Sequence, residues 1–444
     1  MNVDERRWKN VDCFLHYLRL SAFVCGCLLL ASGCAPKKQS RSGMTPAAAA
    51  EKPPVSVEEA MKLIDRRDDW TTLPPINVPR YPGEIFLKDL TICIDPGHGG
   101  TDGGNITTRP SNYKAGPTGE KEAHMNLRVA LLLERLLKDA GANVIMTRHG
   151  DDTIGLRERA EVANNAKRPD GGTGADIFVS VHHNASGPTS NYPSVWYHGS
   201  VDDNEPDIDL ARPIALELGK QMRSQVAKTS PIFSSQLMYN SGFGVLRAAK
   251  MPAVLCECSF MTNPTEEQRL RNADYNLREA YAIYLGLCEW AYCGRPTQTP
   301  PTVRRQGDQL VLSSTLNEGL PNWWGSDRNR IPRSSIEVTL NGMAIPWQYN
   351  ELSRELTATL PSSLAGAGEN VVAIHHANFL GNHNWPQRYT IRGAGTEGPA
   401  RPLPPIRPSQ QPPRRATTAP SSRPSRAGRA PATSPAVNPA GANG

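Results

Sequence analysis

Three strand-like runs in this 444-residue chain end in residues that bind metals or move protons. "DLTICID" leads into Pro96-Gly97-His98, "DIFVSVHHNA" carries His182 and His183, and "MPAVLCECSF" carries Glu257. In an open parallel sheet, ligands bind in the crevice beyond the carboxyl ends of the strands, so these residues are expected to converge there. Two imidazoles with carboxylates suit a catalytic zinc, which takes three nitrogen or oxygen ligands and keeps a fourth position for water. A further carboxylate then accepts the proton of the attacking water. His98 supplies one ligand. Neighbouring strand residues point to opposite faces, so only one of His182 and His183 supplies the second, and a bulge would exchange them. The third is open among Glu120, Glu122 and His124 in "KAGPTGEKEAHMN". Glu257 is marked by its surroundings, because a carboxylate in an apolar strand is costly unless paired, metal-bound or at an accessible end.

The elements that must position these groups show in the patterning. From Phe86 to about Gly294, β-like runs alternate with helix-like ones: "EAHMNLRVALLLERLLKDAG", "LRERAEVANNA", "LARPIALELGKQMRSQVA" and "YNLREAYAIYLGLCEWAYC" read as helices and "NVIMTR" as a further strand. Such alternation predicts an α/β domain over residues 86–295, three layers of helix, sheet and helix with a mostly parallel sheet. Residues 296–395 carry short β-like runs and an Asn-Gly turn in "LNG", which predicts a small all-β, sandwich-like module. Its Trp323, Trp324, Trp347 and Trp385 are core residues or glycan-stacking platforms. Between Ser186 and Phe243 an acidic stretch with Asp202, Asp203, Glu205, Asp207 and Asp209 reads as a solvated loop, a lid, or a plug regulated by an envelope partner.

Both ends differ from the body. Residues 396–444 are almost all Pro, Arg, Ser, Ala and Thr, too apolar-poor to fold, and are expected to be a disordered tail. Their seven arginines against one glutamate account for the whole formal charge of +6. Residues 1–395 are therefore neutral, which argues against nucleic acid as a partner. At the other end, "LSAFVCGCLLLASGC" (20–34) is too short to span a bilayer and follows Arg6, Arg7, Lys9 and Arg19. It reads as a signal peptide over residues 1–34, before a Pro-rich spacer at 35–85. Its end is similar to a bacterial lipobox with Cys34 as the lipidated residue, although Ala31 stands where a bulky aliphatic is preferred. The body is expected to be exported, in the periplasm or at the periplasmic face of a membrane held through Cys34. Cys93, Cys256, Cys258, Cys288 and Cys293 lack zinc-knuckle spacing and read as small buried apolar residues.

From about Leu90 to Cys293 the chain resembles the zinc-dependent N-acetylmuramoyl-L-alanine amidases (Amidase_3), which cut peptidoglycan between the lactyl group of the glycan and the stem peptide. "IDPGHGG", "GEKEAHMNL", "VIMTRHGDDTIGLRERAEVANNA", "ADIFVSVHHNA", "GVLRAAKMPAVLCECSFMTNP" and a last long helix carry the resemblance in order. It implies zinc (Zn2+) as cofactor, His98, Glu122 and His182 as its ligands, and Glu257 as the catalytic glutamate. It departs at Ser259, where the family tends to have glycine before the phenylalanine. A non-catalytic peptidoglycan-binding lipoprotein, or a zinc peptidase cutting another wall amide, are the competing readings.

Overall fold

A computed structural model of the chain describes residues 78–100, 114–199, 204–222, 230–307, 309–320, 330–361, 368–392 and 400–403. The expected signal peptide, Cys34, most of the 35–85 spacer, nearly all of the 396–444 tail, Trp323, Trp324, Asp202 and Asp203 lie outside the described residues. Six strands, β1 (Thr91–Pro96), β2 (Asn143–Met146), β3 (Ile177–Asn184), β4 (Ser194–Tyr197), β5 (Ile232–Ser234) and β6 (Ala253–Phe260), form one sheet in the order β2-β1-β3-β6-β4-β5. All pairs are parallel except β4 with β6. The helices are α1 (Glu122–Asp139), α2 (Leu156–Asn164), α3 (Glu205–Gln221), α4 (Gly244–Ala248), α5 (Pro264–Leu270) and α6 (Ala273–Tyr292).

Alternation along the strands sorts side chains into two cores. Ile92 and Ile94 join one cluster with α1, α3 and α6, while Cys93 joins another with α2 and α4. The sheet is thus covered on both faces, which is why β1 is buried at all six positions. Within α1, Leu132, Leu133 and Leu137 are fully covered and Leu131 nearly so, each worth about 2 kcal/mol of burial. The helix stops where Gly141 takes φ 86° and the Gly141 and Ala142 amides return to the Lys138 and Leu137 carbonyls, the paired bonds of a Schellman ending. Sequence patterning missed β4, β5, α4 and α5, all short. The 187–242 stretch is therefore neither a lid nor a simple solvated loop where it is described: it adds two strands and α3 to the body. Of its acids, Asp207 accepts the Ala253 amide at 2.8 Å and Asp209 accepts that of His383 at 2.7 Å.

The remaining strands are β7 (Thr297–Gln298), β8 (Thr302–Gln306), β9 (Gln309–Asn317), β10 (Glu337–Leu340), β11 (Met343–Ala344), β12 (Trp347–Asn350), β13 (Glu355–Leu360), β14 (Glu369–His375), β15 (Arg388–Arg392) and β16 (Arg401–Leu403). They make two antiparallel sheets, β11-β10-β14-β15-β16 and β12-β13-β9-β7 with β8 on β9, whose inner faces share one cluster including Leu312, Leu356, Val338 and Ile374. The Asn341-Gly342 turn joins β10 to β11 with φ 51° and 80°. Strand β16, within the stretch expected to be a disordered tail, pairs with β15.

Helix α6 ends against the loop 376–387. Asn382 Nδ2 donates to the Trp290 and Gly294 carbonyls (3.0 and 2.7 Å), and Asn378 Nδ2 to that of Cys293 (2.7 Å). A helix end leaves its last carbonyls without partners, and these amides satisfy them. Replacing Asn382 by Ala strands two buried acceptors and is expected to destabilise the protein by about 1–3 kcal/mol, read as a lower melting temperature. An unchanged melting temperature would contradict this.

Candidate active site

The site begins where β1 ends. His98, Gly99 and Gly100 take φ 59°, 119° and 55°, a left-handed turn that a histidine adopts only under constraint. Two buried arginines provide it. Arg159 donates to the Pro96 and His98 carbonyls (2.7 and 2.6 Å), and Arg148 to those of Pro96 and Gly97 (2.9 and 2.8 Å). Arg159 is itself anchored on Asp95 Oδ1 at 2.8 Å, and Asp95 accepts further bonds from Thr147 and Ser180 at 2.7 Å each. Asp95 thus orients the turn through Arg159. Arg157 pairs with Glu161 on the surface.

Glu122 opens α1 and is 1% exposed. Its Oε1 faces His182 Nδ1 at 3.0 Å, the His183 amide at 3.2 Å and Asn126 Nδ2 at 3.4 Å. Its Oε2 makes no hydrogen bond but lies 3.3 Å from His98 Nε2. His98, Glu122 and His182 thereby offer ligand atoms all within 4.8 Å of one another. Of the two neighbouring strand histidines, His182 is the one that joins His98 and Glu122. His183 turns inward, with Nδ1 2.8 Å from Asn126 Oδ1 and Nε2 3.1 Å from Glu279, and although His183, Glu279 and Cys258 form a second close group, both ring nitrogens of His183 are engaged in these contacts. Glu120 is occupied by Arg128 at 2.8 Å and Arg271 at 3.4 Å, and His124 is outside the cluster.

The donors fit a divalent metal of the zinc type. Burial, opposed in part by the Glu122 hydrogen bond, pushes the His182 imidazole down to about 4, so it is neutral near pH 7 and able to ligate. Burial alone would raise the Glu122 carboxyl, but His98, His182 and Lys114 hold it well below the usual carboxylate range. A Cβ on Gly97 would lie 2.1 Å from His182 Nε2, so the imidazole fills a space only glycine leaves.

Glu257 is paired with His182 across β3 and β6, a register that breaks just beyond, between His182 and Asn184. Its Oε2 is buried without a hydrogen bond, and burial followed by the nearby Glu122 charge pushes its carboxyl up to about 8. Ser259 continues β6 and is absent from the positive-φ positions, so glycine's freedom is not required there. Sequence reasoning missed Lys114, Asn126 and Glu279 as members of the site's surroundings; a lysine in a loop and polar residues in helices carry no spacing signal. Asn126 also donates to the Gly97 carbonyl at 3.1 Å, tying α1 to the His98 turn.

Residues 92–289 match the family model Amidase_3, N-acetylmuramoyl-L-alanine amidase. The chain is 29% identical over 242 residues to the probable N-acetylmuramoyl-L-alanine amidase AmiB of Haemophilus influenzae, covering 46% of this chain and 52% of that protein. It is 28% identical to the N-acetylmuramoyl-L-alanine amidase AmiA of Escherichia coli, covering 45% and 75% respectively. The solved N-acetylmuramoyl-L-alanine amidase of Clostridium difficile 630 matches at 30% identity and TM-score 0.38, over 46% of this chain and 97% of that one. The chain spans about half the length of AmiB.

Gly97→Ala is expected to displace His182 and weaken zinc uptake by tenfold or more, on the order of the cost of disturbing a ligand's support; equal zinc content after dialysis would contradict this. Asp95 supplies a pH test. Burial would raise its carboxyl, but Arg159 and the two hydroxyls hold it below its ordinary value. A depressed pKa contributes stability that is present above the ordinary value near 4 and is lost as pH falls through the folded-state value. Urea unfolding from neutral pH to about pH 3 should therefore show a steeper loss for the wild type than for Asp95→Asn, which cannot titrate. Parallel slopes would contradict the assignment.

Proposed function

Taking residues 92–289 as a domain of the matched amidase family, we propose that this chain is an N-acetylmuramoyl-L-alanine amidase, hydrolysing the bond between N-acetylmuramic acid and L-alanine in peptidoglycan. The observation that carries this reading is the three-donor cradle of His98, Glu122 and His182 beside Glu257. In this reading the cradle binds zinc, which when bound supplies Lewis acidity toward the amide carbonyl and lowers the pKa of water to about 7. Glu257 takes the proton of the attacking water and returns it to the L-alanine nitrogen as the carbon–nitrogen bond breaks. A carboxyl already biased toward its protonated form suits the second half of that task. The His98 and His182 side chains are 15% and 14% exposed, so both reach the surface of the described residues.

The same reading places the protein outside the cytoplasm, led there by residues 1–34 and held at the membrane through Cys34. No helix among the described residues is long and apolar enough to cross a membrane. The division into an amidase body at 86–295, a β module from 296 and a Pro/Arg-rich tail belongs to this proposal. Asp207 and Asp209 of the acidic stretch are engaged on backbone amides of the fold.

Glu257→Gln should keep its zinc and lose about 10²–10⁴-fold in kcat, the usual worth of a positioned acid–base group. Mass spectrometry of peptidoglycan treated with the full chain should show intact stem peptides beginning with L-alanine, absent when a chelator is present. Cleavage within the stem peptide would favour a peptidase. No cleavage with zinc bound would favour a non-catalytic binding protein.

A further inference from the structure

The proposed reaction leaves one charged group at the cradle without a task. Lys114 Nζ lies 3.0 Å from His98 Nε2 and 3.6 Å from Glu122 Oε2, the two atoms that themselves stand 3.3 Å apart. An ammonium has only donors, so it donates to the lone pair of the His98 nitrogen. A metal would need that same lone pair, at about 2.0–2.1 Å. It also pairs with the carboxylate oxygen that makes no hydrogen bond. A lysine ammonium and a divalent ion cannot both hold these two atoms.

We propose that Lys114 is a resident cation of the cradle, neutralising Glu122 when the metal is absent and competing with the metal for His98 and Glu122. This rests on the metal role proposed above. From Lys114 onward the described backbone is hydrogen-bonded into the fold. The Lys114 carbonyl accepts the Glu122 amide at 3.0 Å, and the Gly116 amide bonds the Glu120 carbonyl at 2.9 Å. Glu267 accepts the Thr118 and Glu120 amides at 2.9 and 3.1 Å. A Cβ on Gly116 would come 2.4 Å from the Glu267 carboxyl carbon, so loop and α5 are in close contact. The Lys114 side chain is 38% exposed and has solvent into which to withdraw by rotation about its own bonds. A buried carboxylate stripped of its counter-charge is destabilising, so the lysine stabilises the metal-free protein. The consequence is weaker apparent metal affinity, reduced in proportion to the fraction of molecules whose cradle is free of the lysine.

The test uses the full chain, freed of metal with a chelator, as wild type, Lys114→Met and Lys114→Arg. Zinc affinity is read by competition with a chromophoric chelator, and the melting temperature of each metal-free protein is measured beside it. Lys114→Met should bind zinc on the order of tenfold more tightly, as when a competent state of about one tenth becomes dominant. Its metal-free form should also melt earlier. Lys114→Arg, which keeps the charge, should stay near the wild type in both. A merely structural lysine would lower stability and affinity together. Should Lys114→Met fail to fold, Lys114→Gln gives the same reading. Unchanged or weaker zinc binding in the neutral variants overturns the proposal while leaving the metal site standing. Absence of zinc binding in the wild type overturns both.

Discussion

A carboxylate that is 1% exposed can remain ionised only where donors and positive charge surround it, and Glu122 sets that demand for the whole rim. Its Oε1 is satisfied by His182, the His183 amide and Asn126. Its Oε2 makes no hydrogen bond and lies 3.6 Å from the Lys114 ammonium and 3.3 Å from His98 Nε2. The rest of the architecture brings those partners to one point. Helix α1 opens on Glu122, β1 delivers His98, and β3 delivers His182. Asn126 connects all three through the Gly97 carbonyl, the Glu122 carboxylate and His183.

Precision at the rim comes from polar groups buried beneath it. Asp95, fully buried, fixes Arg159, and Arg159 fixes the carbonyls on either side of the left-handed turn. Side chains held this way lose little freedom when a ligand arrives, which is the structural meaning of preorganisation. The opposite end of the body is treated differently. There the asparagine-rich loop of the β module takes up the free carbonyls of α6, so the two parts share hydrogen bonds as well as chain.

Much of this was legible in the residues. Long helices such as α1 and α6 and the buried strands β1, β3 and β6 announce themselves through apolar periodicity and through glycines at their ends. The parallel arrangement followed from alternation, and with it the prediction that His98, His182 and Glu257 would lie at one edge. Short elements were not legible: β4, β5 and α4 have five residues or fewer, too few for a period to emerge. Nor could spacing choose Glu122 over Glu120, because the choice depends on Arg128 and Arg271, which reach Glu120 only after α1, α5 and α6 have packed. The acids of 187–242 misled for a related reason. Asp207 and Asp209 look like solvent-facing charge in the chain, yet each is buried on a backbone amide supplied from a distant segment.

The central claim is that one metal ion is held by three side chains from β1, α1 and β3. Crystals grown with zinc and measured on both sides of its absorption edge test this most directly. The account predicts a single strong anomalous peak about 2.0–2.2 Å from His98 Nε2, a Glu122 oxygen and a His182 nitrogen, with Lys114 displaced from it. A peak centred on His183, Glu279 and Cys258, or none within reach of His98 and His182 together, would contradict it.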